Sequence, residues 1–222
     1  MAHDVHLVLS IPPASVGEDE YGEWYELHVS EILETPGFYR ARRYWLDPAS
    51  PERPGVEHRH LSAYLLDGPP SDGHEALGKR MQAGELTIPD WFGGIRLHSY
   101  DGRALEDDDL TLPDDVYLVF SHAPARFTTE EFYGWYYAHA RENLTSDGFE
   151  TVWRYALTPS RVDPEGPRGA THGAIYHVDG ELPELRAALK ESAAAHRVDI
   201  PAWMPEGEFV SFDCRAASAA QG

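Results

Sequence analysis

Trp24-Tyr25 reappears as Trp135-Tyr136, 111 residues later, and the interval recurs along the chain. The same offset carries Ser10 to Ser121, Pro13 to Pro124, His28 to His139, Gly37-Phe38 to Gly148-Phe149 and Arg43-Tyr44 to Arg154-Tyr155. After one inserted residue the offset becomes 112. It then maps His60 to His172, Tyr64 to Tyr176, Asp67-Gly68 to Asp179-Gly180, Trp91 to Trp203 and Ser99 to Ser211. One register held with a single slip marks an internal repeat, and a repeat decides the fold before any local pattern does. The slip falls in a Pro/Gly-rich stretch, where an extra residue costs little. The sequence divides into a first unit, 1–101, an acidic linker, 102–115, and a second unit, 116–222. The linker contains Glu106-Asp107-Asp108-Asp109 and reads as solvated chain.

Each unit reads as βαββαβ. The first strand is an apolar run, Leu7-Val8-Leu9 or Tyr117-Leu118-Val119-Phe120, of the kind covered on both faces. The helix that follows has Thr128 and Glu131 at capping-box spacing in the second unit, with Phe127 and Phe132 as a staple. In the first unit Gly17 stands at the cap, ahead of an acidic first turn. Pro36-Gly37 and Asp147-Gly148 end these helices. Two strands are expected next, at 38–46 and 58–66 and again at 149–157 and 172–179. A helix follows at 72–84 or 183–196, then a strand at 95–100 or 208–213. Two helices on one face of a four-stranded sheet leave the other face bare and partly apolar. A second such sheet packed against it removes that exposure. The expected class is α+β: tandem duplicated ferredoxin-like units whose sheets meet across one core, an intrachain pseudo-dimeric α/β barrel.

The formal net charge is -20, from 38 acidic and 18 basic residues. Such a surface repels phosphate backbones and anionic lipid, so neither nucleic acid nor membrane is an expected partner. The single cysteine, Cys214, allows no intramolecular disulfide and lacks the pattern of a reactive thiol. The apolar run Leu7 to Ile11 is too short for a signal core or a span, so the cytoplasm is the expected location.

The stretch EWYELHVSEILETPGFYRARRY resembles EthD-like members of the dimeric α/β-barrel superfamily, in which a Trp-Tyr-x-x-His helix leads through Pro-Gly-Phe to a strand ending Arg-Tyr. The second unit, GWYYAHARENLTSDGFETVWRY, departs from it with Asp147 in place of the proline. The third strand, HLSAYLLDG, is also similar. The resemblance covers nearly the whole chain twice. It implies chemistry of the superfamily's kinds: lactone isomerisation, polyketide cyclisation, decarboxylation, cofactor-free oxygenation or haem chemistry. It also implies homodimers, for which a fused chain is a variant.

His28 and His139 are the sharpest candidates for acid/base chemistry, since an imidazole near neutral pKa suits proton abstraction. The alternative is a histidine bonded at the helix–sheet seam. His60 and Tyr64, like His172 and Tyr176, alternate along the third strand of their unit and so share a face. On a cavity they would be an acid/base and orienting pair; against the helices they are packing residues with polar tips. Arg43 and Arg154, beside Tyr44 and Tyr155, could hold a carboxylate or enolate, or salt-bridge the first helix. Trp24 and Trp135 could wall a pocket for a flat hydrophobe, or fill core. His58 and His60 form an H-x-H pair without a recognisable third ligand, and no metal site is assigned. No phosphate loop, dinucleotide fingerprint or serine elbow is present, and no cofactor is expected.

Three functions follow. The first is a cofactor-independent enzyme acting on a small aromatic, lactone or polyketide-like molecule by acid/base chemistry. The second is a non-catalytic binder of a small hydrophobic metabolite. The third is an assembly protein whose barrel fills itself. His122 and His177, standing where the first unit has Ile11 and Leu65, tilt the expectation of activity to the second unit. Either a monomeric pseudo-dimer or a homodimer satisfies the pattern.

Overall fold

The computed structural model describes residues 3–47, 58–107, 110–161 and 170–217. The Pro-rich connections and Asp108-Asp109 of the acidic run lie outside these. The described residues form β1 (Asp4–Ile11), α1 (Glu18–Leu33), β2 (Phe38–Leu46), β3 (His60–Leu66), α2 (Pro70–Gln82) and β4 (Arg96–Ala104) in the first half. In the same order, the second half contains β5 (Asp115–His122), α3 (Thr129–Asn143), β6 (Phe149–Arg161), β7 (His172–Val178), α4 (Leu182–Ala194) and β8 (Glu208–Ala216).

The strands close into one barrel, β1-β3-β2-β8-β5-β7-β6-β4, antiparallel at every described pairing. The sequence suggested two sheets meeting face to face. Their edges are in fact hydrogen-bonded at both seams, β2 to β8 from Tyr44↔Ala216 to Leu46↔Cys214, and β4 to β6 from Ser99↔Arg161 to Ala104↔Tyr155. Among the described residues closure covers the β4–β6 edge over six residue pairs and the β2–β8 edge over three, which shortens the sheet edge open to another chain.

Alternation along each strand sorts side chains between two environments. Val5, Leu7 and Leu9 of β1, and Leu61, Ala63 and Leu65 of β3, point into the barrel, where they meet Leu118, Phe120 and Phe212. Tyr100 stacks on Phe120 at 4.8 Å, and the barrel interior is packed core. The opposite face of the first half packs under α1 through Tyr21, Trp24, Tyr25, Val29 and Ile32. Phe132, Tyr136 and Ala140 of α3 do the same in the second half.

Local signals match their elements. Thr128 Oγ1 accepts from the Glu131 backbone N–H at 3.2 Å, while the Glu131 carboxylate accepts from the Thr128 N–H at 2.9 Å. Gly148, after α3, has φ of 84°, and a Cβ there would stand 2.6 Å from the Asp179 carbonyl oxygen. No side-chain-bearing residue fits that turn without strain.

The linker departs from the solvated chain expected of it. Gly102 to Ala104 continue β4, and Leu110 and Leu112 are buried in the barrel core. Leu112 takes a left-handed φ of 53°. Burial of its side chain offsets a conformation that leucine otherwise avoids.

Candidate functional site

Between the outer sheet face and the helices of the first half lies a cavity of about 470 Å³. Trp24, Tyr25 and His28 of α1 form one wall, with Phe38 and Tyr64 from the sheet and Phe92 and Ile95 from the loop before β4. That loop is tied to α1. Trp24 Nε1 donates to the Thr87 carbonyl at 2.8 Å, and Glu31 accepts from Thr87 N–H at 2.9 Å and from its hydroxyl at 2.6 Å. Ser160 and Arg161, at the end of β6, complete the wall from the other half, and Ser160 Oγ lies 2.8 Å from Ser99 Oγ. The corresponding space in the second half is about 200 Å³, with His139, Tyr136 and Tyr117 on its wall.

His28 stacks on Trp24 with ring centroids 4.8 Å apart and planes at 20°. Its Nδ1 is buried without a hydrogen-bond partner. Burial lowers its pKa to about 4 against a small opposing pull from Glu31, so the ring is neutral near pH 7. His139 repeats the stack on Trp135 at 4.7 Å, and its pKa too is lowered by burial. Tyr25 and Tyr64 hydrogen-bond to one another, and burial pushes both phenols up, so they serve as donors and not as bases.

The face of β3 carrying His60, Ser62 and Tyr64 meets the helices, not the barrel interior. Only Tyr64 of these lines the cavity. His60 is 1% exposed and packs against Tyr21 and Trp45, with Nε2 3.2 Å from Glu18. His172 is buried against Tyr136, with Nδ1 3.3 Å from Ser121 Oγ. Burial takes their pKa values to about 4 and about 3 respectively. Tyr176 accepts from Asn143 at 3.1 Å in the second half's core.

The two arginines bind elements of the chain itself. Arg43 donates to Glu26 at 2.7 Å and to the Gly22 carbonyl at 3.1 Å, and lies over Tyr25. Arg154 pairs with Glu106 and donates to the Tyr133 carbonyl at 2.9 Å. Neither lines either of these two cavities, and their contacts match the salt-bridge alternative, Arg43 tying β2 to α1 and Arg154 tying β6 to α3 and the linker. Tyr44 and Tyr155 point into the barrel core and reach neither cavity. Trp135 stacks on His139 and meets Trp203 edge-on, without lining the smaller space. His177 pairs with Glu150 at 2.9 Å, and neither it nor His122 lines a cavity. Of these two cavities the larger is in the first half, while the polar strand residues that tilted the expectation of activity are in the second.

Three residues that the sequence patterns passed over meet at this cavity. His6 Nδ1 and His74 Nε2 each lie 2.8 Å from Asp101 Oδ1. His6 and Asp101 are direct partners in the β1–β4 ladder, and His74 arrives from α2. Burial lowers the His6 pKa, with the Asp101 bond opposing it. Burial of Asp101 would raise its carboxyl, but the two histidine hydrogen bonds outweigh this and hold it well below the usual range. The H-x-H pair shows no such convergence: among the described residues the one group with metal-sized spacing is His6, His74 and Asp101.

No protein-family model and no curated protein matches the chain. Solved structures do. A proposed monooxygenase of Fusobacterium nucleatum subsp. nucleatum aligns with a TM-score of 0.51 at 12% identity, over 98% of this chain and 94% of that one. An anthrone oxidase-like protein aligns with a TM-score of 0.51 at 14% identity, over 100% and 93%. At such identity the likeness concerns the backbone alone, and together with the closed eight-stranded sheet and its outer helices it gives this chain the dimeric α/β-barrel fold.

Proposed function

We propose that the protein is an enzyme that binds a small, flat aromatic or polyketide-like molecule in the first half's cavity and moves a proton there. The carrying observation is His28: an imidazole on the wall of an aromatic cavity, neutral at physiological pH and with an unused buried nitrogen. Its lowered pKa makes it a weak base, so the proton it takes has to be one that the site also acidifies, such as that of a phenol, or of a carbon between a carbonyl and a ring, whose oxygen gains a hydrogen bond as charge develops. Tyr64, by turning its single O–H from Tyr25 toward the cavity, would supply a donor for the oxygen on which negative charge develops. Trp24, Phe38 and Phe92 supply faces for the rings. Isomerisation, cyclisation and oxygenation can each begin with such a proton transfer. Of the two fold neighbours, the one named anthrone oxidase-like bears a name compatible with an aromatic substrate.

The two halves are read as tandem copies of one EthD-like unit. The fixed offset and the repeated βαββαβ order support this, as does the stacked Trp–His pair on the first helix of each half. One chain then supplies what two subunits supply in a homodimer.

The test is a thermal-shift screen against phenols, lactones, aromatic acids and polyketide mimics, followed by turnover assays. A ligand at a hundred times its dissociation constant adds ~2.7 kcal/mol, or roughly 5–10 °C for a chain of this size. The expected result is a ligand that shifts both wild type and His28→Ala but is converted at least about 100-fold faster by wild type. Tight binding with no turnover would make the protein a binder. No shift from any compound would remove the small-molecule reading.

A further inference from the structure

We propose that His6, His74 and Asp101 form a divalent transition-metal site on the wall of the first half's cavity. The three ligand atoms, His6 Nδ1, His74 Nε2 and one Asp101 carboxylate oxygen, all lie within 4.8 Å of one another. Each nitrogen is 2.8 Å from Asp101 Oδ1. Ligands on adjacent vertices of an octahedron with bonds of about 2.1 Å stand about 3 Å apart, so small side-chain movements would admit an ion. A cation would take the place of the two N–H protons now shared with the carboxylate. The binding tautomers carry their hydrogen on His6 Nε2 and His74 Nδ1.

Two imidazoles and one carboxylate select zinc, ferrous iron, cobalt or nickel over magnesium or calcium, which prefer oxygen. His6 and His74 line the cavity, whereas Asp101 lies behind them. Coordination positions left open by three protein ligands would face the space where a small molecule fits. There a cation would polarise a phenolate or carbonyl oxygen. The side chains are 13%, 32% and 23% exposed for His6, His74 and Asp101, so the cavity gives an ion a way in. The net charge of -20 raises the local concentration of cations around the molecule.

The second half supplies an internal comparison. At the repeat offsets, Tyr117, Arg186 and Asp213 stand where the first half has His6, His74 and Asp101. Tyr117 and Asp213 are direct ladder partners, as His6 and Asp101 are. The fold therefore keeps the cross-strand carboxylate while accepting a phenol and a guanidinium in place of both imidazoles. Packing alone does not require the two histidines of the first half.

The proposal goes beyond the acid/base reading, and its test needs no substrate. Untagged protein is stripped with EDTA and titrated with Co²⁺ and with Zn²⁺, following Co²⁺ absorbance and calorimetric heat. One ion per chain is expected, displaceable from cobalt to zinc. His74→Ala and Asp101→Asn are each expected to weaken binding by more than the 10–100-fold typical of losing an outer-shell partner. His177→Ala, which removes a histidine of the second half, leaves binding unchanged. Circular dichroism confirms that each variant is folded. His6→Gln provides a second ligand deletion should either of the first two fail to fold. Absence of binding by wild type, or binding undiminished in the folded ligand variants, overturns the site and leaves the trio as a hydrogen-bond relay. Metal binding with no turnover of any aromatic compound would uphold the site while removing the acid/base function.

Discussion

His28, His60 and His172 are all held neutral near pH 7, because burial removes the water that would solvate an imidazolium. Their folded pKa values, about 4, 4 and 3, lie below the ordinary 6.5. The unfolded chain therefore binds more protons between these limits. Stability is full above about pH 6.5 and falls as pH drops toward 4. Asp213 runs the other way: burial raises its carboxyl to about 6, so it contributes below its ordinary 3.8 and that contribution is lost as pH rises through 6. Three histidines against one carboxyl predict a net fall in melting temperature from pH 7 to pH 4.5. His172→Gln is expected to flatten that fall; an unchanged slope would show that His172 does not titrate with unfolding. At this scale the sequence singled out His28, which lies on the cavity wall, and passed over His6, His74 and Asp101. Their meeting depends on a β1–β4 register and a helix approach, and neither leaves a short-range pattern. Arg43 and Arg154 left two readings open, because an arginine on a strand looks the same whether its carboxylate partner is a ligand or, as here, Glu26 and Glu106 of its own chain.

The elements themselves were legible from alternation, caps and turn residues. β2 spans the predicted 38–46, and the Thr128 capping box is formed as its spacing suggests. Thr128→Ala should cost about 1 kcal/mol in urea unfolding, since it removes the cap of α3 without touching the core. The facing of β3 was not legible, because every residue from His60 to Leu66 is buried and alternation then carries no polarity. The linker was misread for a related reason: its acidic run masks two leucines that fill the barrel. Leu110→Ala is expected to destabilise by about 2–5 kcal/mol. A loss below about 0.5 kcal/mol, as at an exposed site, would mean that the linker is not part of the core.

Across the whole molecule, closure at both seams makes each half dependent on the other for its barrel face and for its edges. A fragment of residues 1–106 would expose the apolar inner face now covered by Leu118, Phe120 and Phe212. It is expected to self-associate, as a dimer that rebuilds the barrel or as an aggregate. A stable monomeric fragment in sedimentation would contradict the closed core. The intact chain is expected to sediment as a monomer. The repeat offset made this architecture readable, since a doubled βαββαβ order leaves few ways to cover two bare sheets. The seam hydrogen bonds were beyond it, because edge pairing depends on strand twist and on the length of β6, which runs on to Arg161.

That longer strand has a consequence for how the molecule can change over generations. A barrel made of two identical subunits writes every substitution twice, so a residue helpful in one cavity is imposed on the other. Here Ser160 and Arg161 cross from one half to finish the cavity of its neighbour, and each position is a separate letter in one gene. One side is free to specialise while the other drifts toward pure scaffolding. The two cavities, about 470 Å³ and about 200 Å³, already differ in size.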